Sequence, residues 1–330
     1  MTVLDTKPYV EPDPVIGYRY SPHTRLRLPR PGGGDYQIAI NRDGIRSDRD
    51  YSRATPAGTR RFIVLGDSMA AGQFVDNAQR FTEILERRLP GLEMINLALE
   101  GSGTDQQVLL YEHVGREYQH DAVLLMPFLQ NIRRNMAGAR EAVDPATGTT
   151  ILRPKPRFEL KNGALVLHPP AAAASNGAVA GDTPASVGLK EVFNRVPGAA
   201  IWKRALYTLR PWEPFTEYAH AEGPAWRLMA AIIQRLRQLA APRPVAIVPA
   251  FYSNYVRYRM ATNFLDRFRS LEDPPALFMV DLLPHFRALG ADAVRCFQDP
   301  FDMHFSAHGH LVIADALQSE LSARGLLPLR

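Results

Sequence analysis

Two segments at opposite ends of the chain carry residues that could do covalent chemistry together. Gly66-Asp67-Ser68 follows the apolar run Phe62-Ile63-Val64-Leu65, and Asp302-Met303-His304 lies near the far end. A serine hydroxyl is a poor nucleophile at neutral pH until a base takes its proton. An imidazole serves as that base only when its other nitrogen is held in the right tautomer. Ser68 as nucleophile, His304 as base and Asp302 as orienting group therefore have the parts for acyl transfer, with Asp299 as an alternative orienter. A buried strand ending at Ser68 would present the hydroxyl above a sheet edge and aim backbone N–H groups at a developing oxyanion. Taken alone, Ser68 also reads as a helix N-cap, and Gly-Asp-Ser occurs often by chance.

Two further segments could supply oxyanion donors. Asn96-Leu97-Ala98-Leu99-Glu100-Gly101 ends in a glycine whose N–H can approach a ligand with no side chain in the way, and Asn131 offers a side-chain amide just after an apolar run. The surroundings of Ser68 depart from the Gly-x-Ser-x-Gly elbow of α/β-hydrolases, because Ala70 stands where the second glycine would be. His304, His308 and His310 with Asp302 also have the look of a metal cluster, but zinc needs convergent ligands and an open position. We assign no metal and no cofactor.

Positioning these groups requires a sheet. Phe62–Leu65, Glu93–Leu97, Ala122–Met126, Val245–Val248 and Leu277–Val280 are short, continuous apolar runs. Between them fall amphipathic stretches: one capped at Asn77 with Phe81, Ile84, Leu85 and Leu89 inward, one capped at Asp105, and others over Ala225–Leu239 and Asn263–Leu271. A last one is capped at Ser306, with Ile313, Ala316, Leu317 and Leu321 inward. Buried strands alternating with helices predict an α/β fold, a parallel sheet covered on both faces. Such sheets bind ligands at the C-terminal ends of their strands, where all four chemical segments fall. Residues 1–60, rich in Pro, Arg and Gly, read as a small β-rich extension on a catalytic domain over 61–330. An insertion over 137–223 interrupts that domain and is far longer than an ordinary connection, a candidate lid. Within it Phe158–His168 reads as a hairpin around Asn162-Gly163, and Pro169–Gly188 has the composition of a mobile segment. Trp202, Tyr207, Trp212, Phe215 and Tyr218 could stack on a sugar or form a satellite core.

Composition narrows the partners. The chain has 330 residues, 46% of them hydrophobic, with a formal charge of +5 spread in short basic groups and no dense stripe, which argues against nucleic acid. Cys296 stands alone, so no intrachain disulfide forms. No apolar run is long enough for a membrane span, and Met1–Pro14 lacks a signal-peptide core; the expected location is cytoplasmic.

Taken together the blocks resemble the SGNH (GDSL-type) hydrolase superfamily over roughly 60–135 and 225–325. Ser68, Gly101, Asn131 and His304 (with Gly309-His310) match the four residues that name it. Gly101-Ser102-Gly103-Thr104-Asp105-Gln106-Gln107 further resembles members associated with bacterial surface carbohydrates. Two blocks depart: Gln130-Asn131-Ile132 replaces Gly-Asn-Asp, and Phe301 occupies the aspartate position of Asp-x-x-His. In extended backbone Asp302 and His304 would still point to one side. The resemblance implies a three-layer α/β/α sandwich. It also implies a serine esterase in which the N–H groups of Ser68 and Gly101 and the Asn131 amide form the oxyanion hole, acting on a small acyl group of a carbohydrate or metabolite. The alternatives are an O-acyltransferase using the same site and a non-catalytic carbohydrate-binding protein on this fold.

Overall fold

A computed structural model describes residues 9–143, 149–170 and 211–328. Most of the Pro169–Gly188 stretch, with Trp202 and Tyr207, lies outside the described residues. Two antiparallel hairpins come first, β1 (Val10–Asp13) with β2 (Gly17–Tyr20), and β3 (Arg25–Pro29) with β4 (Asp35–Ala39). The main sheet follows. It comprises β5 (Arg60–Gly66), β6 (Leu92–Asn96) and β7 (Ala122–Met126), then, beyond two further hairpins, β12 (Val245–Ile247) and β13 (Leu277–Met279). The five are parallel in the order β13-β12-β7-β5-β6.

That order dictates the layers and the switch point. The chain steps from β5 outward to β6, then back across β5 to β7 and on to β12 and β13. Right-handed crossovers running in opposite directions put their helices on opposite faces of the sheet. Accordingly Phe81–Arg88 packs with the C-terminal helix Ala307–Ala323, while Thr104–His113 packs with Pro224–Ala240. The direction reverses between β5 and β7, the topological switch point at whose strand ends folds of this kind place their ligands. Burial on both faces explains why β7 and the Phe62–Leu65 part of β5 are apolar without alternation.

Local differences from the sequence reading have physical causes. β5 begins at Arg60 because Arg61 is fully buried, its guanidinium donating to Glu93 Oε2 and to the carbonyls of Arg53, Ala54 and Gln119. Asn77 does not cap the helix Phe81–Arg88. It opens a single 3-10 turn, and its side chain instead donates to Ala39 O and accepts from Arg46. Asp105 sits inside its helix, whose cap is Gly103, and binds Lys155 Nζ at 2.5 Å. Ser306 caps as expected, accepting from Gly309 N–H.

The residues after β7 form the hairpins β8 (Ala139–Val143) with β9 (Thr150–Pro154), and β10 (Arg157–Lys161) with β11 (Ala164–His168), the latter turning at Asn162-Gly163. Lys155 ties them to the helix Thr104–His113, and the Arg140 guanidinium lies 3.6 Å from the centre of the Tyr18 ring. Phe215 and Tyr218 are buried, Tyr218 among Trp226, Phe264 and Phe268 and Phe215 stacked on Tyr252, so these two serve as core. No helix among the described residues is long and apolar enough to cross a membrane.

Candidate active site

Ser68 begins a one-turn helix directly behind β5. Gly66 permits the tight exit: a Cβ there would lie 2.5 Å from Ala70 Cβ and 3.0 Å from Met126 O. Asp67 caps the turn by accepting from Met69 N–H at 3.0 Å. The short helix thus leaves Ser68 at the C-terminal ends of β5 and β7, with 5% of its surface exposed.

His304 arrives from the other end of the chain. An antiparallel bridge between Phe297 and Phe305, reinforced by Gln298 N–H donating to His304 O at 2.8 Å, folds this segment back on itself just before the helix Ala307–Ala323. His304 Nε2 lies 2.7 Å from Ser68 Oγ, and its Nδ1 bonds Asp302 Oδ1. The same carboxylate oxygen accepts from His304 N–H at 2.9 Å. Asp302 therefore meets His304 through a side chain folded over its own backbone, rather than through extended i, i+2 geometry. Asp299 faces elsewhere, accepting from Ser253 Oγ at 2.8 Å and pairing with Arg257 at 2.6 Å. Burial pushes the Asp302 carboxyl up, but hydrogen bonds from the His304 ring and from backbone N–H groups outweigh it and hold the group below its ordinary range. The Phe74 ring stands edge-on to the imidazole, centroids 5.4 Å apart, and its backbone is left-handed at φ 70°. A non-glycine residue in that conformation is strained, and here the strain accompanies contact with the histidine.

Gly101 occupies the third position of a turn closed by Ser102 N–H donating to Leu99 O at 3.1 Å. Its φ of 82° suits the type II turn, in which that position favours glycine. Ser102 Oγ donates to Gly66 O at 3.3 Å, bringing this turn beside the exit of β5. Among the described residues no acceptor takes the N–H of Ser68 or of Gly101. Asn131 is buried at the start of the helix Asn131–Arg134. In the amide orientation that satisfies both its atoms, its nitrogen donates to Asp67 Oδ2 and Phe128 O, each at 3.1 Å, and its oxygen accepts from Gln107 Nε2 at 2.9 Å. Asn131 is thus beside the nucleophile, with both amide hydrogens engaged by the protein.

A polar network absent from the sequence reading underlies these groups. Arg134 Nη1 donates to Asp67 Oδ2 at 2.5 Å and to Ser102 O at 3.2 Å, and Gln107 Nε2 also reaches Ser102 Oγ. Complete burial pushes the Asp67 carboxyl up, against the pull of Arg134 and of the Met69 N–H. One residue pair therefore joins the segments after β5, β6 and β7. The only signal in the sequence was Asp67 and Arg134 each standing near a candidate site residue. His310 is buried beside Phe81, and burial with the nearby Arg80 and Arg46 charges lowers its pKa to about 3, so it stays neutral. Among the described residues no three His, Cys, Asp or Glu side chains gather as metal ligands do.

The class is thus an α/β sandwich with a Ser-His-Asp constellation at its topological switch point. No family model matches the chain, and no curated protein matches it. Solved structures with a similar fold include a lipase/acylhydrolase from Enterococcus faecalis, 13% identical, covering 82% of this chain and 100% of its own at a TM-score of 0.43. An acetyl xylan esterase is 14% identical, covering 79% and 99% at a TM-score of 0.43. A salicylyl-acyltransferase from a tetracycline biosynthetic pathway is 12% identical, covering 86% and 59% at a TM-score of 0.41. Likenesses this slight carry no functional argument, and the functional reading rests on the geometry above.

Proposed function

We propose that the protein is a serine esterase of SGNH type working through an acyl-enzyme on Ser68. The observation that carries this is the continuous relay Ser68 Oγ, His304 Nε2, His304 Nδ1, Asp302 Oδ1, assembled with Ser68 and His304 buried and from segments remote in sequence. In this reading His304 Nε2 takes the Ser68 proton as Oγ bonds to the ester carbonyl carbon, and Asp302 stabilises the resulting imidazolium. The carbonyl oxygen becomes an oxyanion facing the N–H groups of Ser68 and Gly101, donors whose loss typically costs about 2.7–4 kcal/mol of barrier each. Collapse breaks the bond to the alcohol oxygen, which leaves with the proton from His304. Water, deprotonated by His304, then attacks the acyl carbon; the bond to Ser68 Oγ breaks, Oγ takes the proton back from His304, and the acid leaves. Asn131 is the candidate third donor, and would serve the oxyanion only by releasing Asp67 or Phe128 O. A small acyl group on a carbohydrate or metabolite remains the proposed substrate class.

Acyl transfer shares every step up to the acyl-enzyme and differs only in whether water or an acceptor hydroxyl resolves it. The binding-protein alternative is disfavoured because a nucleophile, base and orienter in register would have no use in it. The test is fluorophosphonate labelling followed by peptide mapping, with Ser68→Ala and His304→Ala as controls. Labelling at Ser68 that depends on His304 is the expected result. A folded protein that leaves Ser68 unlabelled would sink the proposal.

A further inference from the structure

Four side chains from the first fifty residues converge on one residue, Glu100, which immediately precedes Gly101. Tyr18 Oη donates to the Glu100 carbonyl oxygen at 2.8 Å, and Glu100 N–H donates to the Tyr20 hydroxyl at 3.1 Å. Tyr9 Oη donates to the Glu100 carboxylate at 3.1 Å, and Arg46 lies 3.9 Å from its other oxygen. All five residues are buried. Arg46 also reaches the opposite side of the site. It donates to the carbonyls of Ala71 and Gly72 at 2.8 Å and of Val75 at 2.5 Å, the turn that closes the Ser68 helix.

The consequence follows from peptide geometry. The Glu100 carbonyl and the Gly101 N–H belong to one planar trans peptide unit, so they point in opposite directions. A hydroxyl that holds the carbonyl toward the hairpin therefore aims the N–H away from it. Tyr20, gripping the preceding peptide unit, prevents the two planes from rotating together. The bland alternative is that buried tyrosine hydroxyls need partners somewhere and found them here. Against it, the hydroxyls of Tyr18 and Tyr20 both go to the main chain of one residue, and Arg46 goes to three carbonyls of one turn.

We infer that the N-terminal hairpin is a positioning device for the oxyanion donors, with Tyr18 the residue that aims the Gly101 N–H. The inference rests on the acyl-enzyme reading and extends it to a segment outside the region that resembles the SGNH superfamily. Tyr18 acts through Gly101 and touches no reacting atom.

The test is Tyr18→Phe, which keeps the ring beneath the Arg140 guanidinium and deletes only the hydroxyl. Its control is Tyr111→Phe, which deletes a buried hydroxyl bonded to His120 at 3.0 Å. Both are compared with the unaltered protein for kcat and KM on p-nitrophenyl acetate, for the rate of fluorophosphonate labelling at Ser68, and for melting temperature. Misplacing a reacting or stabilising group by about an ångström can cost on the order of 100-fold in rate. Tyr18→Phe should lower kcat and labelling rate together by about 10- to 100-fold, with KM changed by no more than about twofold. Tyr111→Phe should leave kcat intact whatever it does to the melting temperature. A folded Tyr18→Phe protein that turns over and labels like the control would overturn the inference. If Tyr18→Phe does not fold, Tyr20→Phe read the same way decides. Absence of Ser68 labelling in the unaltered protein is a different failure, which removes the acyl-enzyme reading and this inference with it.

Discussion

Replacing Asp302 by asparagine isolates the electrostatic part of the site. The carboxylate bonds the His304 ring and backbone, and its side chain is 16% exposed, so it works in a partly screened environment. Two unit charges about 4 Å apart at an effective dielectric near 20 attract by about 4 kcal/mol. Losing that stabilisation of the imidazolium corresponds to roughly 10³-fold in rate. Asparagine also places an amide beside Nδ1, and donation from it would leave the ring proton on Nε2, facing Ser68, where no base could act. The total expected loss in kcat is therefore about 10³–10⁴-fold, with little change in KM. Steady-state turnover of an activated ester measures it, beside Asp299→Asn, which should keep most of the activity because Asp299 faces Ser253 and Arg257. The sign of the pH effect on stability follows from the depressed carboxyl. Its pairing contributes fully above the unfolded value of about 3.9 and is lost as pH falls through the lower folded value. The stability gap between wild type and Asp302→Asn should accordingly close only in acid. If Asp302→Asn keeps more than about a tenth of kcat, or Asp299→Asn loses as much, the assignment of the orienting group is wrong.

Phe74 combines a strained backbone with a ring set against His304. Phe74→Gly and Phe74→Ala should both lower kcat, yet the glycine variant should be the more stable of the two by about 1 kcal/mol, because alanine keeps the left-handed strain. Thermal denaturation in which alanine equals glycine would refute the strain argument. Lys155, its side chain 2% exposed, neutralises the fully buried Asp105. Lys155→Met should destabilise by about 3–5 kcal/mol by stranding that charge, and adding Asp105→Asn should recover most of the loss in urea unfolding. Additive losses in the double variant would mean that the two charges are not coupled.

Features that depend on near neighbours were legible in the residues alone. Strands buried on both faces must be continuously apolar, so β7 and most of β5 could be read from composition alone. Ser306 as a cap and Asn162-Gly163 as a turn followed from local backbone chemistry, and the order of strands and helices implied a sheet with its ligand crevice at Ser68. Where a local rule met a distant partner, it failed. Arg61 obscured the start of β5 because its compensating Glu93 lies on the next strand, and Asp105 looked like a cap because Lys155 was still far along the chain. The choice of Asp302 over Asp299 was open for the same reason, since both lie within a few residues of His304 and only the bend of that segment brings one to Nδ1. The Asp67–Arg134–Asn131 network and the grip of Tyr18 on Glu100 were decided by tertiary structure alone. Each joins groups tens of residues apart, and a hydrogen bond between such groups leaves no periodicity or spacing in the sequence. It exists only once the sheet has closed the distance and burial has removed water as the competing partner.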